Sequence, residues 1–197
     1  MKLKIYKAFF TILIISAILV TVLIAIKYNN NQKYENDNQQ IVEVFSRETV
    51  SQEQNIQLEM NGYKVIGTVK IEKINLEYPI LDIDSYNPEE TKIPMKFSIV
   101  KYWGGQVNEY GNLSIAGHNN YDGTMFGKTK KLEIGDIVEL TDTKKKTIQY
   151  KIYTKFVTDP NDVTILQTKD ESAREVTIIT CTNGNKERLI LKAKEII

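Results

Sequence analysis

The sequence predicts a single all-β domain closed into a barrel, carried behind an apolar N-terminal helix. Three observations lead there. From Tyr63 onward the chain breaks into short β-like runs separated by turns, with little helical periodicity. Ala8 to Ile26 is an uncharged apolar run of membrane-spanning length. Val176 to Ala193 holds two apolar runs around Asn183-Gly184-Asn185, the pattern of an antiparallel hairpin.

In chain order, residues 1–7 carry Lys2, Lys4 and Lys7, and these lysines favour a cytoplasmic N-terminus. Residues 8–26 read as an uncleaved transmembrane anchor rather than a signal peptide, because the apolar run is long and no small-x-small cleavage site follows. Residues 27–60 read as a spacer. Tyr28 to Gln40 is rich in Asn and Gln and has almost no aliphatic residue, so it cannot fold by itself. Ile41 to Met60 has scattered apolar residues that allow a short helix against the domain.

Residues 61–197 form the domain itself. Val65, Val69 and Ile71 alternate with polar partners, and Ile74 and Leu76 resume out of phase, which predicts a bulge between them. Tyr78 to Leu81 contains Pro79 and reads as an edge or entering strand. Ser85 to Pro94 is a polar connection, and Asn112 to Ala116 is a short strand ending in Gly117-His118-Asn119-Asn120. Ile134 to Leu140 and Thr147 to Val157 flank a charged hairpin tip, with Ile148, Tyr150, Ile152 and Phe156 assigned to one face. Asp159 to Arg174 is a longer loop whose Val163, Ile165 and Leu166 suit either packing onto the barrel or a partner groove.

Composition narrows the function classes. A formal net charge of +1 gives no reason to expect nucleic acid. One cysteine excludes an internal disulfide, and one histidine excludes a histidine-rich metal centre. No CxxC, HExxH or P-loop pattern occurs, so no metal and no cofactor is expected.

The chemistry concentrates on the last hairpin. A turn centred on Gly184-Asn185 opposes Cys181 to Arg188; one centred on Asn183-Gly184 opposes it to Lys186. Either register gives the thiol a cationic neighbour of the kind that suits a reactive cysteine. A free cysteine is often only a small buried hydrophobe. Here it stands at a strand end beside a polar turn, in a domain expected outside the cytoplasm, where an unused thiol is a liability. His118 is the only imidazole able to serve it, and Arg188 is a candidate for stabilising a developing oxyanion.

Taken together, Ile178-Ile179-Thr180-Cys181-Thr182, the arginine seven residues beyond the cysteine, and Ala116-Gly117-His118-Asn119 resemble the sortases. These are membrane-anchored cysteine transpeptidases of Gram-positive bacteria. Ile66-Gly67, Ile71, Tyr78-Pro79-Ile80 and Gly123-Thr124-Met125-Phe126 extend the similarity from roughly Tyr63 to the C-terminus. The resemblance implies an eight-stranded β-barrel with short helices, placed on the extracellular face of the cell membrane. It implies that Cys181 attacks a threonine carbonyl in an LPXTG-like C-terminal sorting signal of a surface protein. His118 would act as general acid and then base, Arg188 would hold substrate and oxyanion, and Thr180 would contribute to substrate binding. The thioacyl enzyme would pass to an amine of a cell-wall precursor or to a pilin lysine. Ile178 stands where leucine is common, a volume-conserving change. Glu109 alone would not make the calcium site of some members. Neither a long helical insertion after Val157 nor a lid motif is apparent, so the subclass stays open.

Other readings are a pilin-polymerising member, a hydrolytic surface cysteine protease, and a non-enzymatic surface β-module. An L,D-transpeptidase would need histidine and glycine just before the cysteine, which Thr180-Cys181-Thr182 does not supply.

Overall fold

A computed structural model describes residues 2–47, 57–83, 88–168 and 170–196. The chain divides into two units, residues 1–36 and residues 37–197. Helix α1 (Lys2–Ser46) runs from the first into the second. Within the first unit its apolar side chains, Phe9 to Ile26, are exposed all round. By length and composition this helix can cross a membrane. The Asn/Gln-rich stretch from Tyr28 to Gln40 is helical rather than irregular, since it continues a helix already nucleated. In the second unit the last turns of α1 gain tertiary support. Ile41, Val44 and Phe45 join an apolar cluster on the domain, and Asn38 Nδ2 donates to Phe97 O at 2.9 Å. Part of the region in which a short helix was allowed, residues 48–56, lies outside the described residues.

The domain is an eight-stranded closed barrel. Its strands are β2 (Tyr63–Ile71), β3 (Leu76–Leu81), β4 (Ile99–Trp103), β5 (Gly111–Ala116), β6 (Ile137–Asp142), β7 (Thr147–Thr158), β8 (Arg174–Thr182) and β9 (Glu187–Glu195). The short β1 (Glu59–Met60) adds to β2. Strand order is β2-β3-β4-β5-β8-β9-β7-β6, and β6 returns to pair with β2, Gly67 opposite Asp142, which closes the ring of eight strands. Two pairings are parallel, β3 with β4 and β5 with β8; the rest are antiparallel.

Alternation along the strands makes two apolar layers. Val69, Ile71, Ile80, Ile115, Leu140, Tyr150, Val176, Ile178 and Leu191 fill the barrel. Val65, Leu81, Val100, Ala116, Ile179 and Ile190 form a second cluster, covered by Ile165 and by Phe45 of α1. Asn108 seals the interior polar groups by accepting from Tyr150 Oη and donating to the carbonyls of Leu140 and Lys146.

Four local expectations change. The interruption after Ile71 is a 3-10 turn, Glu72–Ile74, closed by Asn75 at φ 51°, and the bulge of this strand lies earlier, between Val65 and Gly67. Pro79 sits in β3, which is interior to the sheet; β4 pairs only from Ile80 onward, so no bond is needed from the missing N–H. Ile134 is exposed, and β6 starts at Ile137. Phe156 leaves the face of Tyr150 and Ile152 because the register shifts between Ile152 and Thr154, reversing the alternation.

Candidate active site

Parallel pairing of β5 with β8 is what brings the candidate residues together. Ala116 lies opposite Ile179, and Gly117 N extends the ladder by donating to Ile179 O at 3.2 Å. The next residues on the two strands, His118 and Cys181, therefore emerge at the same end of the barrel. Neither pairing partner is near the other in sequence, and only the crossover from β5 through β6 and β7 to β8 juxtaposes them.

The hairpin resolves the register left open by the sequence. Residues 183–186 form the turn, with Asn183, Gly184 and Asn185 all at positive φ (48°, 66° and 71°). A centre at Gly184-Asn185 matches the right-handed twist of β8 and β9. Thr182 consequently opposes Glu187, and Cys181 opposes Arg188. Asn183 adds a side-chain hydrogen bond to Glu187 that staples the turn.

His118 and Cys181 share a cleft of about 450 Å³, lined further by Asn119, Lys130, Thr182 and the Asn183–Asn185 turn. Cys181 is half-buried. His118 presents an exposed edge, yet enough of its ring is packed that desolvation lowers its pKa below the ordinary histidine value. Its backbone is fixed by the loop that follows: Phe126 N donates to His118 O at 3.0 Å, and Asn119 bridges Met125. That loop is held in turn by Asp122, whose Oδ1 accepts from Thr124 N at 3.0 Å and Thr124 Oγ1 at 2.7 Å. The Thr124 hydroxyl and amide bonds keep this carboxyl below the usual range. Met125 takes φ 47°, an uncommon backbone for a side-chain-bearing residue, in the stretch that closes back on the histidine.

The other two candidates are placed differently. Arg188 is half-buried opposite Cys181, and its Nη1 donates to the carbonyls of Asn185 and Glu187, both at 3.2 Å. Its guanidinium is thus anchored on the turn rather than lining the cleft. Thr180 is buried, and its hydroxyl donates to Gly117 O at 2.8 Å, tying β8 to β5 one residue before both His118 and Cys181. Asn119, not singled out among the candidates, donates from Nδ2 to Cys181 O at 2.8 Å. Its only sequence signal was its place in Gly-His-Asn.

A sortase-domain family profile matches residues 69–196. The chain belongs to the sortase family. Among solved structures, a Clostridium perfringens Sortase D5 transpeptidase is 29% identical, with 83% of this chain and 98% of that one covered and a TM-score of 0.64. Streptococcus pneumoniae Sortase C shares 23% identity over 71% of this chain and 72% of that one, TM-score 0.57. Corynebacterium diphtheriae Sortase A shares 19% over 88% and 85%, TM-score 0.59. The latter two establish likeness of fold. A comparison with curated proteins returns no match. The sortase barrel thus accounts for the eight-stranded closure, and the long apolar helix is consistent with a membrane-anchored protein.

Proposed function

We propose that this sortase is a transpeptidase acting on surface proteins that carry an LPXTG-like C-terminal sorting signal. The observation that carries the reading is the meeting of Cys181 and His118 in one cleft, with Arg188 opposite the cysteine. In the first half-reaction Cys181 passes its thiol proton to His118 and the thiolate attacks the threonine carbonyl carbon, while the Arg188 guanidinium leaves the turn carbonyls and swings into the cleft to meet the tetrahedral oxyanion. His118 gives a proton to the departing amine as the threonine–glycine C–N bond breaks, leaving a thioacyl enzyme. In the second half the neutral imidazole takes a proton from the incoming amine, which attacks the thioester and releases Cys181. Thr180 and Asn119 do their work through the backbone, holding the two strand ends in register. The anchor, residues 8–26, keeps residues 1–7 in the cytoplasm and residues 61–197 on the outer face, with 27–60 between them. The acceptor is an amine of a peptidoglycan precursor or a pilin lysine.

Transfer is favoured over hydrolysis by the 29% identity to a protein described as a transpeptidase. Intact-mass spectrometry of the detergent-solubilised full chain with a sorting-signal peptide tests the reading. An adduct of the mass of the acyl fragment, mapped to Cys181 and removed by hydroxylamine, is expected. Absence of any adduct across a panel of such peptides, with Cys181 readily alkylated, would sink it.

A further inference from the structure

The outer face of β5, β8 and β9 is built in three-residue rows, read directly from the register. Going toward the cleft, they are Asn112–Glu175–Lys194, Ser114–Thr177–Lys192 and Ala116–Ile179–Ile190, followed by Cys181–Arg188. Successive rows are separated by about 6.6 Å along the strand. Two polar rows therefore lie behind one apolar row, and the apolar row abuts the cysteine.

The loop after β7 is laid across this face, and its attachment is specific. Asn112 Nδ2 donates to Leu166 O at 3.0 Å, and Lys192 Nζ donates to Gln167 O at 2.9 Å. Both side chains are buried, an unusual state for a lysine on an outer barrel surface. Asn112 is itself locked, because its Oδ1 accepts from Thr177 Oγ1 at 2.8 Å and its Nδ2 reaches Ser114 Oγ at 3.2 Å. Two consecutive main-chain carbonyls of the loop are thus gripped by donors from two strands. Immediately ahead of them, Ile165 is buried in the cluster that holds Ala116, Ile179 and Ile190. The other end of the 3-10 turn Thr164–Leu166 is capped by Asp162, which accepts from Thr164 N at 2.9 Å and from Thr158 Oγ1 at 2.6 Å. Thr158 pairs with Arg188.

We propose that Lys192 and Asn112 are positioning residues that latch the main chain at Leu166–Gln167 and so hold Ile165 against the apolar row beside Cys181. Ile165 and the row it covers are buried, so the latch serves binding by fixing the position of the loop beside Cys181; this part depends on the transpeptidase reading. A lysine ammonium suits the task, because a hydrogen bond from a charged donor is stronger than one from a neutral donor. It stands two rows away from Cys181 on the same face and acts on the site through the loop.

The test uses the full chain in detergent, as wild type, Lys192→Met, Lys192→Arg and Ile165→Ala. Hydrogen exchange over residues 159–173 reports the latch without reference to activity, and peptide turnover reports its use. Lys192→Met is expected to speed exchange of this loop about tenfold or more. It is also expected to raise KM for a sorting-signal peptide about tenfold with kcat within about twofold, the signature of lost binding rather than lost chemistry. Iodoacetamide labelling of Cys181 should be unchanged, and Lys192→Arg should restore both loop protection and KM. Ile165→Ala should raise KM alone, and its combination with Lys192→Met should add little further. Unchanged loop exchange in Lys192→Met would overturn the latch, and faster exchange with unchanged KM would overturn its role in binding. If the wild type turned over no peptide, the transpeptidase reading would fall, while exchange would still decide the latch.

Discussion

At the residue scale, His118 is the group whose environment makes a signed prediction. Desolvation lowers its pKa in the folded chain, so near pH 6 the unfolded chain binds more protons than the folded one. The corresponding stability is present above about pH 6.5 and is lost as pH falls through the lowered folded value. The melting temperature of the wild type should therefore drop more steeply between about pH 7 and 5 than that of His118→Gln. Parallel curves would contradict the desolvation argument. Thr180 makes the second prediction. Thr180→Val keeps the shape but leaves the buried Gly117 carbonyl without its 2.8 Å donor, which should cost about 1–3 kcal/mol in denaturant unfolding. On the proposed mechanism, Arg188→Gln should lower kcat about a hundredfold or more, because the charge that would meet the oxyanion is lost. These residues were legible to different degrees. Cys181, His118 and Arg188 follow from rare residue types in recognisable motifs, whereas the anchoring roles of Thr180 and Asn119 need the parallel β5–β8 pairing, which joins residues far apart in sequence.

At the element scale, closeness of backbone around the cleft leaves little room for extra volume. A Cβ on Gly117 would come within 2.9 Å of Phe126 Cδ2 and 3.2 Å of Ile99 Cγ1. Phe126 is fully buried and cannot swing away. Gly117→Ala should cost about 1–3 kcal/mol by overpacking and displace the adjoining His118, so that kcat falls together with stability. Alternation in the sequence marked most strands correctly, but it failed where one extra residue reverses the faces. Tyr153 is such a residue: it sends Phe156 outward although its spacing from Tyr150 and Ile152 is even. The loop after β7 was ambiguous for another reason. Its Ile165 is buried and its Val163 exposed, and this distinction depends on Asn112 and Lys192, which lie far away in sequence.

At the scale of the whole molecule, the barrel is closed by β6 returning to β2. Gly67 makes that closure possible, since a Cβ there would stand 2.4 Å from Thr141 O, a backbone atom with no freedom to retreat. Gly67→Ala should destabilise the domain by about 3 kcal/mol, seen as a shifted unfolding midpoint. Membrane orientation can be read with the single cysteine as reporter. With the N-terminal lysines inside, a membrane-impermeant maleimide should label Cys181 on intact bacterial cells; labelling only after lysis would reverse the topology. The continuous helix α1 was hidden because the Asn/Gln-rich stretch has the composition of a spacer, and only the apolar turns on either side carry it as helix.

The most direct test of the central claim is the partition of products at rising amine concentration. The full chain in detergent is incubated with a sorting-signal peptide and a short amine, beside Cys181→Ala. A thioacyl intermediate predicts that threonine–amine product grows at the expense of free acid as amine increases, and that the alanine variant forms neither. Free acid alone at every amine concentration, or turnover surviving in Cys181→Ala, would contradict it.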